Sequence, residues 1–186
     1  MAKQKQPAQL LLGPVPPALI ACGNGAQKNI ITLAWVGVVN SEPPLLSAAV
    51  RPSRHSHGLI RDTGEFTVNL ATAAQVEAVD GCGTLSGREI DKFARYGFTP
   101  VMGTLSHAPL IDECPISMEC RVEQTLELGS HALFIGRVVA TYVAPEILDD
   151  RGRIDFNRCR LLGFCNGRYL ETLPLNLSLG YTLKRK

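Results

Sequence analysis

The sequence predicts a mainly β protein with a few helices, a β-barrel closed or half closed. Segments rich in β-branched and apolar residues recur between Gly, Pro, Asn and Asp. Helical signals are few and short, and long strand–helix–strand units that would build a parallel sheet are not evident, nor is a G-x-G-x-x-G following a strand. A chain of 186 residues is long enough to bury a sizeable core and is expected to form a single domain over 1–186, with 1–7 a flexible arm and 170–186 a C-terminal tail.

The expected strands are residues 18–22, 29–35, 45–51, 65–71, 116–128, 131–143 and 160–165. The long pair 116–128 and 131–143 brackets Gly129-Ser130, a two-residue hairpin turn. Within it Met118, Cys120, Val122 and Gln124 alternate with Glu119, Arg121 and Glu123, the period of a half-buried strand. Ser53 is placed to cap a helix over 53–62, since Pro52 disfavours helical geometry in the residue before it. Residues 73–80 predict a second helix, ended by Gly81. Ser86-Gly87-Arg88-Glu89 reads as a capping box leading into a helix over 90–96, stopped by Gly97. Asp149-Asp150-Arg151-Gly152-Arg153 reads as a turn, because its acidic spacing fails that of a calcium loop.

Composition narrows the function classes. Hydrophobic residues make 45% and charged residues 19%, which excludes a disordered chain, and Lys+Arg 19 against Asp+Glu 17 gives +2. So balanced a chain is not built to coat nucleic acid or an anionic membrane, and no apolar run reaches the roughly 20 residues that span a bilayer. The 6 cysteines form no C-x-x-C pair, and the apolar stretch at Leu10–Leu12 is too short for a secretory core. The expectation is a cytoplasmic protein with reduced thiols.

Arg51-Pro52-Ser53-Arg54-His55-Ser56-His57 follows a strand and opens a helix, and two guanidiniums, two hydroxyls and free helix-start amides suit a phosphate dianion. An ordinary strand-to-helix loop with a solvated basic face is the alternative. Asn29–Trp35 carries two polar residues and the sole Trp; it reads either as a wall for a flat polar ring beside Thr32 and Ala34 or as a core strand. Lys92 reads as a solvated charge unless its helix folds over a ligand, and Phe93 reads as core. Neither His55, His57, His107 and His131 nor the cysteines show metal spacing, and no G-x-S-x-G occurs. Cys82 stands between two glycines in what reads as a flexible turn, where a thiol could be reactive.

The ordered set Pro16-Pro17 with 18–21, Asn29–Trp35, Ser41-Glu42-Pro43-Pro44, Arg51–Ser56, Gly64–Leu70, Ser86-Gly87 with Asp91-Lys92-Phe93, Ala108–Ile111 and His131–Val138 resembles the flavin reductase-like family of FMN-binding split barrels, in particular its flavoredoxin-type branch. The resemblance runs over residues 14 to 143 and most of the remainder. It implies a six-stranded Greek-key barrel and a homodimer holding FMN non-covalently near the subunit interface. Asn29, Thr32, Ala34 and Trp35 would line the isoalloxazine, with Ser47 and Val50 on the next strand. Arg51, Ser53 and Ser56 would hold the phosphate, Asn69 and Leu70 would meet the ring or ribityl chain, and Lys92 and Phe93 would close over the cofactor. His131 would stand at the exposed ring edge, as the catalytic position. The glycine-rich character of some family phosphate loops is replaced here by two histidines, and 149–160 and the tail after Tyr169 are not diagnostic.

The function this implies is an oxidoreductase passing electrons from NADH or NADPH through FMN to free flavin, iron or another small-molecule or protein acceptor. The alternatives are a non-enzymatic electron carrier between protein partners and a barrel that merely binds a ligand. Flavin chemistry asks the protein to bind, orient and expose one ring face, so no obligatory acid or base is expected.

Overall fold

The computed structural model describes residues 1–175 and 177–184. Its main sheet has seven strands, all antiparallel: β1 (Ala18–Gly23), β2 (Lys28–Leu33), β3 (Val36–Ser41), β4 (Pro44–Val50), β5 (Glu65–Leu70), β8 (Ile116–Glu127) and β9 (Ala132–Val143), in the order β2-β1-β5-β8-β9-β4-β3. Two short pairs, β6 (Pro100–Val101) with β7 (Leu110–Ile111) and β10 (Leu162–Cys165) with β11 (Arg168–Glu171), lie outside it. The edge strands β2 and β3 are joined by Ala34 and Trp35 alone, so Leu33 and Val36 can be no more than about 11 Å apart. The sheet must therefore curl until its edges meet, and Ala49 N donates to Trp35 O (3.0 Å) at the seam.

Two cores follow from the curl. Ile20, Ile31, Val50, Phe66, Val68 and Phe134 pack together with Leu59 and Ile60 of helix α1 (His55–Thr63). On the opposite face of β1 and β2, Leu19, Ala21 and Ile30 pack with Val79 and Cys82 of α2 (Val76–Thr84) and with Phe93 of α3 (Lys92–Tyr96). Burial on both faces explains why β1 reads as an unbroken apolar run instead of an alternating one. At Gly136 a Cβ would lie 2.7 Å from the Phe66 ring, so β9 has no room for a side chain there.

The Gly129-Ser130 turn forms as expected, closed by Leu128 N donating to His131 O (2.9 Å), and Asp149 organises its turn by accepting from the Arg151 and Arg153 amides. Several expectations are corrected. The sheet has seven strands where six were expected, because Val36–Ser41 pairs with β4 despite its Gly37. The segment 29–35 ends as a strand at Leu33, and 160–165 pairs with β11 outside the main sheet, placing Arg168–Glu171 in a strand that overlaps the expected tail.

Glu119 is fully buried, since the chain at 104–105 folds over it and Thr104 Oγ1, Leu105 N and Tyr142 Oη all donate to its carboxylate. Gln124 is exposed, beyond a register shift. Helix α1 begins at His55, with Arg54 and not Ser53 at the N-cap. Helix α2 continues through Gly81 to Thr84, so Cys82 is helical and buried. The capping box at Ser86 does not start a helix: Glu89 N and Ile90 N both donate to Ser86 O in a turn, and Asp91 caps α3 by accepting from Ala94 N (3.2 Å). Gly97 ends that helix in the left-handed region, as expected.

In thermal unfolding, Asp91→Ala is expected to cost about 1 kcal/mol through the lost cap, and Ser86→Ala much less. Equal losses would contradict the cap assignment.

Candidate functional site

Three elements frame a crevice beside the seam. Near the start of strand β2 stands Asn29, whose Nδ2 donates to Ser56 Oγ (2.7 Å) in the first turn of α1. Helix α1 has no side-chain cap at Arg54; His57 N donates to Arg54 O (3.1 Å), and the residues of the helix start, Arg54 to Ser56, line the crevice. The third element is the end of α2 with the turn that follows it. Arg88 Nη1 donates to Ser53 O (3.1 Å) and ties that turn to the approach to α1.

Lys92 fixes the floor. The residue is 3% exposed, and its ammonium donates to Ile30 O (2.8 Å) on β2 and Cys82 O (2.7 Å) in the last turn of α2. A cation suits a helix C-terminus. Burial is the first cause that lowers its pKa, and two carbonyl oxygens supply hydrogen bonds in place of water.

The polar part of the crevice, about 170 Å³, brings together Asn29, Arg51, Ser53, Ser56 and Lys92 with Arg54, His55 and Arg88. No carboxylate lines it, and among the described residues none of Arg51, Arg54, Arg88 and Lys92 pairs with an acid. His55 feels this excess: burial first, then Arg88 and Lys92, push its pKa below the ordinary histidine value. A neutral His55 contributes stability that is complete above the ordinary value near 6.5 and is lost as pH falls below it. Three guanidiniums, an ammonium, two hydroxyls and an open helix start are a donor set for a phosphate dianion.

The second part, about 180 Å³, continues from the first through Ile31, Arg51, Arg54 and Gly83. It runs along the backbone from Ile31 to Trp35 and is closed by Ala49 and His131. The Trp35 and His131 rings lie with centroids 4.6 Å apart at 41°, and Ser130 Oγ is 2.8 Å from His131 Nδ1. Burial and then Arg51 lower the His131 pKa, favouring the neutral ring. Small Ala34 and Gly83 keep the strip shallow enough to take the edge of a planar group.

The structure thus gathers Asn29, Arg51, Ser53, Ser56 and Lys92 at one end and Thr32, Ala34, Trp35 and His131 at the other. The Thr32 hydroxyl turns away and donates to Val79 O (2.5 Å), so this residue offers the strip its backbone. Ser47 lies in an adjoining groove, its Oγ 3.4 Å from Gly37 O. Val50 and Phe93 are core residues, and Leu70 packs against the core. Asn69 is fully buried, bonding Leu19 O and Thr67 Oγ1 and accepting from Ile111 N. None of these four lines the crevice. Arg88 and Gly87 are absent from the expected site because their motif reads as a helix cap, and Gly83 carries no signal of its own.

The cysteines lie outside this chemistry. Burial raises the thiol pKa to about 12 for Cys22 and about 11 for Cys82, which keeps both protonated and corrects the expectation of reactivity at Cys82. Among the described residues no group of His, Cys, Asp and Glu could hold a metal ion, and no helix is long and apolar enough to cross a membrane.

Residues 13–172 match the flavin reductase like domain family. Among solved structures, flavoredoxin of Desulfovibrio vulgaris (Miyazaki F) superposes with a TM-score of 0.90 at 28% identity, covering 96% of this chain and 98% of that one. An FMN-binding protein from Thermus thermophilus gives a TM-score of 0.77 at 26% identity, over 92% and 93% of the two chains. An NADH-dependent FMN reductase of Streptomyces nodosus subsp. asukaensis is 29% identical over 131 residues, 70% of each chain.

Gly87 sets the width of the polar end. A Cβ there would lie 2.0 Å from Asn29 Oδ1 and 2.5 Å from Asn29 Cγ, and the Asn29 side chain is buried. Gly87→Ala is therefore expected to break the Asn29–Ser56 bond and cost about 1–3 kcal/mol of stability. It should also weaken inorganic phosphate binding in calorimetry; parental values for both would contradict this geometry.

Proposed function

The chain belongs to the flavin reductase like domain family, and from that premise we propose that the crevice binds FMN and that the protein is an NAD(P)H-dependent flavin oxidoreductase. The observation that carries this reading is the joining of an acid-free cluster of four cations, at an uncapped helix start, to a flat strip along β2. Arg51, Arg54, Ser53, Ser56 and Arg88 would hold the phosphate, and the strip from Ile31 to Trp35, with Ala34 and Gly83, would lie against the ring. Bound FMN supplies a two-electron carrier that accepts hydride at one ring position and releases its electrons to free flavin, iron or another acceptor.

The chain's own residues bind and orient. Lys92 locks the β2 and α2 carbonyls and so fixes the spacing of the walls. His131, held neutral beside Trp35, guards the open edge where a donor approaches without adding charge there. A second copy of the chain would bind near the ring. Exposed Val38 (82%) and Val39 (49%) on edge strand β3 give such a copy an apolar surface to cover. The free cysteines suit the reducing interior of a cell. The similarity to flavoredoxin favours a second reading, an electron carrier between protein partners that uses no nicotinamide.

Anaerobic titration of the FMN-loaded protein separates the two. Bleaching of the flavin band by NADH or NADPH at catalytic rates supports the oxidoreductase; no bleaching by either, with FMN retained, supports the carrier. Arg51→Ala is expected to weaken FMN by about 1.5–3 kcal/mol, roughly 10- to 150-fold, read from flavin absorbance retained after gel filtration. A dianion among the cations also favours protonated His55. Its pKa, followed by imidazole proton resonances, should rise on loading with FMN; an unchanged or lower value would place the phosphate elsewhere.

A further inference from the structure

Beyond Trp35 the strip opens into a groove of about 600 Å³ that shares Ala34, Trp35 and Ala49 with it. Its walls include Leu12, Val36, Leu133 and Phe164, with Ser47 and Asn166 supplying polar side chains. Among the described residues, no acid, base or histidine lines it, in contrast to the cationic crevice next door. An ion entering this groove would lose water without gaining a counter-charge, whereas an uncharged apolar molecule loses little and buries its surface.

We propose that this groove is a binding site for an uncharged organic ring compound, which serves as electron acceptor. The proposal rests on the reading of the adjoining strip as the flavin site. With a quinone as acceptor, two electrons and two protons pass from dihydroflavin to the quinone, giving flavin and hydroquinone. The reduced nicotinamide and one proton then restore the dihydroflavin. Charged acceptors such as ferric chelates are disfavoured in the groove by its lack of counter-charge. Asn166, at φ 46 in the turn between β10 and β11, can donate to a carbonyl oxygen of the occupant.

Gly37 offers the test. It lies in edge strand β3, and a Cβ there would meet only Ser47 Oγ at 3.7 Å, so a side chain fits without strain and enters the groove. The probes are 1,4-naphthoquinone and its 2-sulfonate, an uncharged and an anionic compound on the same ring system. Binding is followed by calorimetry and by the emission of Trp35, the sole tryptophan. Saturable binding of naphthoquinone is expected, with the sulfonate at least about tenfold weaker. Gly37→Val should lose naphthoquinone by at least about tenfold while retaining FMN and a native circular dichroism spectrum. Equal binding of the two probes, no saturable binding, or parental affinity in Gly37→Val overturns the proposal. So does a dimer that Gly37→Val dissociates in sedimentation without naphthoquinone having bound, which gives the groove to a second copy. Naphthoquinone binding without FMN retention supports the groove as a neutral-ligand site and overturns the flavin reading instead.

Discussion

One ammonium group joins the elements on which the crevice depends. Lys92, in the first turn of α3, donates to one carbonyl of β2 and one of α2. As an edge strand, β2 carries backbone groups that no neighbouring strand can take, and an edge left open invites pairing with another chain. The lysine satisfies one such carbonyl and one of the last carbonyls of α2, which the helix itself cannot satisfy. Losing the ammonium would leave two buried acceptors unmet, and the walls of the crevice would lose their common anchor.

The curl of the sheet was written in composition but not in strand count. The runs at 18–22, 65–71 and 131–143 show their strands because both faces or alternate positions are apolar. Val36–Ser41 hides its strand because Gly37, Asn40 and Ser41 interrupt the pattern, and its pairing with β4 comes from a tertiary constraint, the two-residue link to β2. The cap was misplaced for a similar reason. Ser86 and Glu89 have the spacing of a capping box, but Asp91 competes for the same role and wins by standing next to the residues that pack. Glu119 alternates as an exposed residue should, and only the return of the chain at 104–105 shows why it is buried.

Of the site, the phosphate-like end was legible because its donors crowd into one stretch, Arg51 to Ser56. Arg88 and Gly87 arrive from a distant turn, and their role appears only when Arg88 reaches Ser53 O and Gly87 packs against Asn29. Family likeness carried Asn69, Leu70, Val50 and Phe93 toward the cofactor, whereas their side chains serve the core. The resulting division of charge is sharp. Cations without acids gather at one end, at a cost in mutual repulsion that an anion relieves, and the far end is left without charge of either sign.

The depth of the sulfur atoms has a consequence for durability. Proteins that carry electrons near dissolved oxygen can generate peroxide, which attacks thiolates faster than thiols. Cys22, Cys82, Cys114, Cys120 and Cys159 are all buried, with thiol pKa values raised to about 12 for Cys114 and Cys120 as well. Packing that serves the hydrophobic cores thereby also shields these five sulfurs from sulfenic acid formation, and leaves half-buried Cys165 as the one within easier reach of an oxidant.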